Sequence, residues 1–191
     1  VYRLSGSLTG QVVVDAGADD LVVLVLDNAT IASSTGPAIT VLNADDVALN
    51  LAEGSTNSLS DTASYAEDAD ANAALYSDAD LTISGTGALR VDGNGNDGIT
   101  STDDLVVLSG TIEVTAVDDG LRGKDSLSIE GGAVTVQAGG DGLKADQDSE
   151  DTRGYVHLAG GNVTIEAGDD GIDAETDVVV SGGTTSVTTD A

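Results

Sequence analysis

The acidic residues of this 191-residue chain are patterned. Four of them open the same short step: Asp97-Gly98-Ile99, Asp119-Gly120-Leu121, Asp141-Gly142-Leu143 and Asp170-Gly171-Ile172. The last copy lies in "GDDGIDAETD", where Asp169, Asp170 and Asp173 are followed by Glu175 and Asp177 with no Lys or Arg among them. Carboxylates crowded without counter-charge repel and raise one another's pKa, so such a cluster is either dispersed in water or built around a cation. Ca2+ suits the second case, because it takes six to eight oxygen ligands from carboxylates, carbonyls and water in flexible geometry. A thiolate site is excluded by the absence of Cys, and His157, the single histidine, has no partner at metal-ligand spacing.

A repeat must position these residues. The glycines of the four steps are 22, 22 and 29 residues apart, and a second series, Gly110, Gly132, Gly161 and Gly183, is spaced 22, 29 and 22. Both series place a seven-residue insertion between Gly142 and Gly161, where "DQDSEDTRG" (Asp146 to Gly154) protrudes. Within each repeat the apolar residues alternate with polar ones, as in half-buried strands. "TIEVTA", "AVTVQA" and "NVTIEA" put Ile112/Val114, Val134/Val136 and Val163/Ile165 on one face. A second strand carries Leu105/Val107, Leu127/Ile129, Val156/Leu158 and Val178/Val180, and a short third strand follows each Asp-Gly. No 3.6-residue stripe persists, and β-branched residues dominate.

Three short strands per turn of about 22 residues, with glycine at the corners, predict an all-β, single-stranded parallel β-helix. Residues 1–191 form one solenoid domain of about eight coils and about 40 Å length on this reading, with loop insertions near 60–72 and 146–154. Leucine-rich repeats are excluded because their consensus string is absent, and calcium-binding nonapeptide repeats because nothing recurs at nine residues. "DGNGNDG" at Asp92 opens like an EF-hand loop, but its glycine is one position late, residue twelve is Asp103, and no helices flank it. With almost no aromatic residues the core has to be aliphatic.

Stacking converts sequence columns into neighbours. The corner column holds Asp97, Asp119, Asp141 and Asp170, and the position before it reads Asn96, Asp118, Gly140 and Asp169. Acid spacing in the insertion adds Asp146 and Asp148 to the candidate Ca2+ ligands. The position after each Asp-Gly-aliphatic step reads Thr100, Arg122, Lys144 and Asp173, so Arg122, Lys124 and Lys144 lie beside the acidic column. Bases and bound Ca2+ side by side could grip sugar carboxylates, Arg being suited to bidentate binding. Tyr155 and His157, on one outward strand face, complete the candidate carbohydrate-binding set. The net charge of −28 repels nucleic acid and anionic lipid, and no run reaches the roughly 20 apolar residues of a membrane-inserting helix.

The repeats "DGLRGKDSLSIEGGAVTVQAGGDGLKAD" and "GYVHLAGGNVTIEAGDDGIDAETDVVVSGG", with the opening "LSGSLTGQVVVDAG", resemble the extracellular carbohydrate-binding β-helix family that binds cellulose and acidic sugars. The resemblance implies a right-handed helix on a pectate-lyase-like scaffold, several bound Ca2+ ions, and an extracellular or cell-surface location. Calcium-dependent lyases of that scaffold use an Asp-Asp-x-x-Asp set plus one Asp from the preceding coil, matched here by Asp169, Asp170, Asp173 and Asp141. They also require a basic residue that abstracts a proton, and no base follows Asp173. The expected function is therefore non-catalytic binding of acidic or cellulosic polysaccharide. The alternatives are a subunit that stacks head-to-tail into a filament, and a calcium-dependent lyase.

Overall fold

The computed structural model describes residues 1–190, and its regular structure is entirely β. The first strands are β1 (Tyr2–Thr9), β2 (Val12–Asp15), β3 (Leu21–Ala32) and β4 (Ile39–Asn43). Sets of three follow: β5 (Asp46–Leu51), β6 (Thr56–Ser60) and β7 (Ala73–Ser77), then β8 (Asp80–Gly85), β9 (Ala88–Gly93) and β10 (Asp97–Ser101). The next two sets are β11 (Asp104–Val107), β12 (Thr111–Ala116), β13 (Leu121–Gly123), and β14 (Ser126–Ile129), β15 (Ala133–Ala138), β16 (Leu143–Ala145). The last strands are β17 (Tyr155–Leu158), β18 (Asn162–Ala167), β19 (Ile172–Ala174), β20 (Val178–Val180) and β21 (Thr184–Thr189). The two loop insertions fall between β6 and β7 and between β16 and β17.

From β5 onward each strand pairs in parallel with the strand three places later, which is the connectivity of a solenoid-like stack. One seven-stranded sheet runs β2-β4-β7-β10-β13-β16-β19. The other sheet has fourteen strands: two wings, β5-β8-β11-β14-β17-β20 and β6-β9-β12-β15-β18-β21, joined by β3, with β1 also paired to β3. Strand β3 feeds both wings because its twelve residues turn a corner without leaving the sheet. Asn28 makes that corner with a left-handed backbone (φ 57), a conformation Asn tolerates better than most residues. The fully buried Asn57 pins the corner: its amide oxygen accepts from Ala29 N at 3.0 Å and its amide NH2 donates to Ala88 O at 3.0 Å.

In-register pairing stacks like on like. Ile39, Leu75, Ile99, Leu121 and Leu143 form one buried aliphatic column down the seven-stranded sheet. Each such side chain contributes about 1.5–3 kcal/mol by leaving water. The corners require glycine for space. A Cβ on Gly120 would meet the Gly142 carbonyl oxygen at 2.6 Å, so the chain there can approach its neighbour only without a side chain.

Candidate functional site

The corner aspartates sit where the chain turns from a wing of the large sheet into the seven-stranded sheet, as between β12 and β13 and between β15 and β16. Three of the four carboxylates accept a hydrogen bond from the backbone N–H of the counterpart one coil on. Asp119 N reaches Asp97 Oδ1 at 3.3 Å, Asp141 N reaches Asp119 Oδ1 at 2.9 Å, and Asp170 N reaches Asp141 Oδ1 at 3.0 Å. The column is thus a structural ladder as well as a charge cluster. It satisfies corner amides that no strand pairing covers, a role that carboxylate spacing alone does not reveal. Asp97, Asp119 and Asp141 are buried, while Asp169 and Asp170 are exposed and Asp173 is intermediate.

The position three residues after each corner Asp decides how the charge is balanced. Pairing places Thr100, Arg122, Lys144 and Asp173 in one column, as the repeat spacing predicts. Lys144 Nζ lies 2.6 Å from Asp141 Oδ2 and 3.1 Å from Asp119 Oδ2, bridging two rungs. Burial opposes its charge, but the hydrogen bonds to Asp141 and Asp119 outweigh that and hold its pKa above the ordinary lysine range. Arg122 turns away from the ladder and pairs with Asp146 of the insertion, Nη2 to Oδ2 at 2.6 Å and Nε to Oδ1 at 3.2 Å. Thr100 donates its hydroxyl to Asp97 Oδ2 at 3.0 Å.

Asp97, the lowest rung, consequently has no cation among its hydrogen-bond partners. Asp97 accepts from the Asn96 amide at 2.8 Å and from Thr100, both neutral donors. Burial first, and then the charge of Asp119, push its pKa up to about 6. Burial and Asp119 likewise raise Asp118. One carboxylate oxygen from each of Asp97, Asp118 and Asp119 lies within 4.8 Å of the other two. Three convergent hard oxygens, one of them on the exposed Asp118, fit an oxygen-seeking divalent ion with water completing its shell.

Asp141, Asp169, Asp170 and Asp173 share the upper corner, but their oxygens do not converge to that distance among the described residues. Burial, followed by the charge of Asp141, raises Asp173. Asp146 is engaged by Arg122, and Asp148 is exposed in the insertion. Lys124 is half-buried just after β13. The carbohydrate-binding candidates divide between two sheets: Arg122 and Lys144 lie on the seven-stranded sheet, Tyr155 and His157 on β17 of the large sheet. His157 Nε2 is 2.8 Å from Ser181 Oγ.

Two buried acids, Asp61 and Asp125, escaped the sequence pattern. Asp61 opens the first insertion, accepts from Tyr65 Oη at 2.8 Å and Asn94 N at 2.5 Å, and is raised by burial. Asp125 anchors the second insertion through Arg153 Nη1 at 2.5 Å and Gln147 Nε2 at 3.0 Å. Neither Asp61 nor Asp125 belongs to an Asp-Gly step, so only the spatial return of each loop could have singled them out.

A family model described as "Carbohydrate-binding domain-containing protein" matches residues 1–191. A protein of the same description from Acetivibrio thermocellus (strain ATCC 27405) is 38% identical over 121 residues, 61% of this chain and 42% of that protein. The chain thus spans less than half the length of that relative. A solved structure described as the polysaccharide lyase-like protein from C. thermocellum, gadolinium derivative, superposes with TM-score 0.89 and 37% identity. It covers 100% of this chain and 82% of its own.

Proposed function

The chain belongs to the carbohydrate-binding domain-containing family, and from that premise we propose that it is a non-catalytic, Ca2+-stabilised polysaccharide-binding domain acting outside the cell. The observation that carries the metal half of this reading is the convergence of Asp97, Asp118 and Asp119, of which only Asp119 is paired with a base, Lys144. A divalent ion there would relieve the repulsion that raises Asp97 and Asp118. The solved relative is described as a gadolinium derivative, and lanthanide ions, like Ca2+, seek hard oxygen ligands. Binding then follows from exposed acids and bound Ca2+ lying on one surface, where the ion bridges the protein to carboxylates of an acidic sugar chain. A right-handed parallel β-helix of about eight coils is the architecture this reading adopts, supported by the parallel pairing three strands apart.

Catalysis is not part of the proposal. A proton-abstracting base must be unprotonated and free, whereas Lys144 is bridged by two carboxylates and Arg122 is held by Asp146. Head-to-tail association is the second reading. Val178 and Val180 pair with the buried Val156 and Leu158 yet are themselves exposed, so their face accepts a further layer of strands, from a longer chain or another copy.

Thermal melts in Ca2+ and in chelator, with binding to polygalacturonate scored in both, test the main reading. It expects a higher Tm and retained polygalacturonate in Ca2+. A melt indifferent to chelator removes the metal, and unsaturated uronate absorbance would reinstate the lyase. Sedimentation velocity in Ca2+ tests the second reading, which a monodisperse monomer overturns.

A further inference from the structure

Arg122 and Lys144 hold one register position on successive strands of the seven-stranded sheet, yet they pair with different partners. Lys144 reaches the aspartate three residues before it and the rung one coil below, Asp141 Oδ2 at 2.6 Å and Asp119 Oδ2 at 3.1 Å. The same geometry moved down one coil would carry Arg122 onto Asp119 and Asp97. Arg122 points instead to Asp146, at the start of the insertion, with Nη2 2.6 Å from Oδ2 and Nε 3.2 Å from Oδ1. Burial opposes the charge of Arg122, while Asp146 first, and then Asp97 and Asp119, sustain it above the ordinary arginine range. The guanidinium is thus drawn by two sets of carboxylates, one on the insertion and one on the ladder.

The insertion that holds Arg122 is lightly anchored. Residues 148–153 at its tip are exposed. Its two ends meet at the buried Asp125, which accepts from Gln147 Nε2 at 3.0 Å and from Arg153 Nη1 at 2.5 Å. At its base Gln147 N donates to Lys124 O at 3.0 Å. An exposed loop tied by a few side-chain bonds opens far more readily than stacked strands do. On the ladder, meanwhile, Asp97 is left to neutral donors, and its oxygens converge with those of Asp118 and Asp119.

We infer that Arg122 is a two-position switch through which the insertion 146–154 controls cation binding at the ladder. Docked on Asp146, Arg122 leaves the corner of Asp97, Asp118 and Asp119 open to a divalent ion. Released from Asp146, it returns to Asp119 and Asp97 and serves there as an internal cation, as Lys144 does one coil on. The inference rests on the Ca2+ reading above and adds to it a regulator within the chain. A guanidinium and a divalent ion compete for the same carboxylate oxygens, so the released position and the bound ion exclude each other. Linkage makes the effect reciprocal: a docked insertion favours the ion, and a bound ion keeps Arg122 on Asp146 and the insertion closed. Loosening the exposed tip therefore lowers ion affinity without touching any of the three converging carboxylates.

Isothermal titration with Ca2+ compares the wild type, D146N and the R122Q/D146N double variant, and a crystal structure of D146N in chelator locates the guanidinium. D146N is expected to raise the Kd for Ca2+ roughly tenfold, and the double variant to return it to the wild-type value or below. The D146N crystal is expected to show Arg122 within hydrogen-bond distance of Asp97 and Asp119. In limited proteolysis, Ca2+ should slow cleavage within residues 146–154 of the wild type and leave that of R122Q unchanged, a readout that needs no change at Asp146. Wild-type affinity in D146N overturns the inference and leaves the Ca2+ reading standing, as does an Arg122 that stays off the ladder in the D146N crystal. A double variant as weak as D146N also overturns it, because the loss would then come from the missing carboxylate rather than from Arg122. Cleavage that Ca2+ slows equally in R122Q and the wild type overturns it as well. A wild type that takes up no Ca2+ overturns both the inference and the reading beneath it.

Discussion

Two neighbouring steps of one aspartate ladder solve the same electrostatic problem differently. Between Asp119 and Asp141 the chain supplies its own cation, the Lys144 ammonium, within 3.1 Å of both carboxylates. Between Asp97 and Asp119 it supplies only hydroxyl, amide and backbone donors, and the buried Asp97 is left with a raised pKa. The backbone is nearly identical in the two steps, with equivalent corner hydrogen bonds of 3.3 and 2.9 Å. A repeat therefore fixes where carboxylates stack, while a single non-repeating side chain decides whether a step is bridged by an internal cation or left with neutral donors alone.

The largest effect expected is from removing the internal cation. Lys144→Met should cost about 3 kcal/mol in chelator, because it leaves two buried carboxylates facing each other, and Ca2+ should restore part of the loss. Equal stability of the variant and wild type in chemical denaturation would break the comparison. Next, saturating Ca2+ at 100 times its Kd should stabilise the wild type by about 2.7 kcal/mol, a rise of several degrees in Tm. Asp97→Asn and Asp118→Asn together should erase most of that rise.

The pH dependence sharpens the contrast further. Asp97 has a folded value of about 6 against an ordinary 3.8, so the folded state binds its proton more tightly than the unfolded chain does. Its ionisation destabilises the fold in full above pH 6, and the penalty fades as pH falls through 6 towards 4. In chelator, stability should rise on acidification from pH 7 to 5 by about 1.3 kcal/mol, and Asp97→Asn should flatten that slope. In saturating Ca2+ the slope should reverse, since protons and the ion compete for the same oxygens. The smallest effect belongs to Arg122→Gln. It removes a partly exposed bidentate pair with Asp146 and should cost about 0.5–1 kcal/mol, most visibly as faster proteolysis within residues 146–154.

Much of this was legible before any coordinate. The two glycine series fixed the register, and every pairing from Ile99 to Leu143 follows it. The second insertion was legible too, because it broke both series at one place. Which carboxylates converge was not. The Asp-Asp-x-x-Asp set of Asp169, Asp170 and Asp173 has the denser charge in sequence, yet its corner aspartate stands exposed near the last strands. Asp97, Asp118 and Asp119 converge because two successive corners are buried together, and burial is a property of neighbouring coils rather than of local composition.

The sequence by itself determined the period, the aliphatic core and the columns of aspartate and base, because a strand repeat places residues one period apart in contact. Only the tertiary structure decided where each long side chain turned. Arg122 and Lys144 occupy equivalent positions, but Asp146 lies within reach of one and two ladder rungs within reach of the other. Rotamers and loop returns set those reaches. The same holds for Tyr155 and His157, which the alternation correctly turned outward but which the corners carried onto a different sheet from the bases.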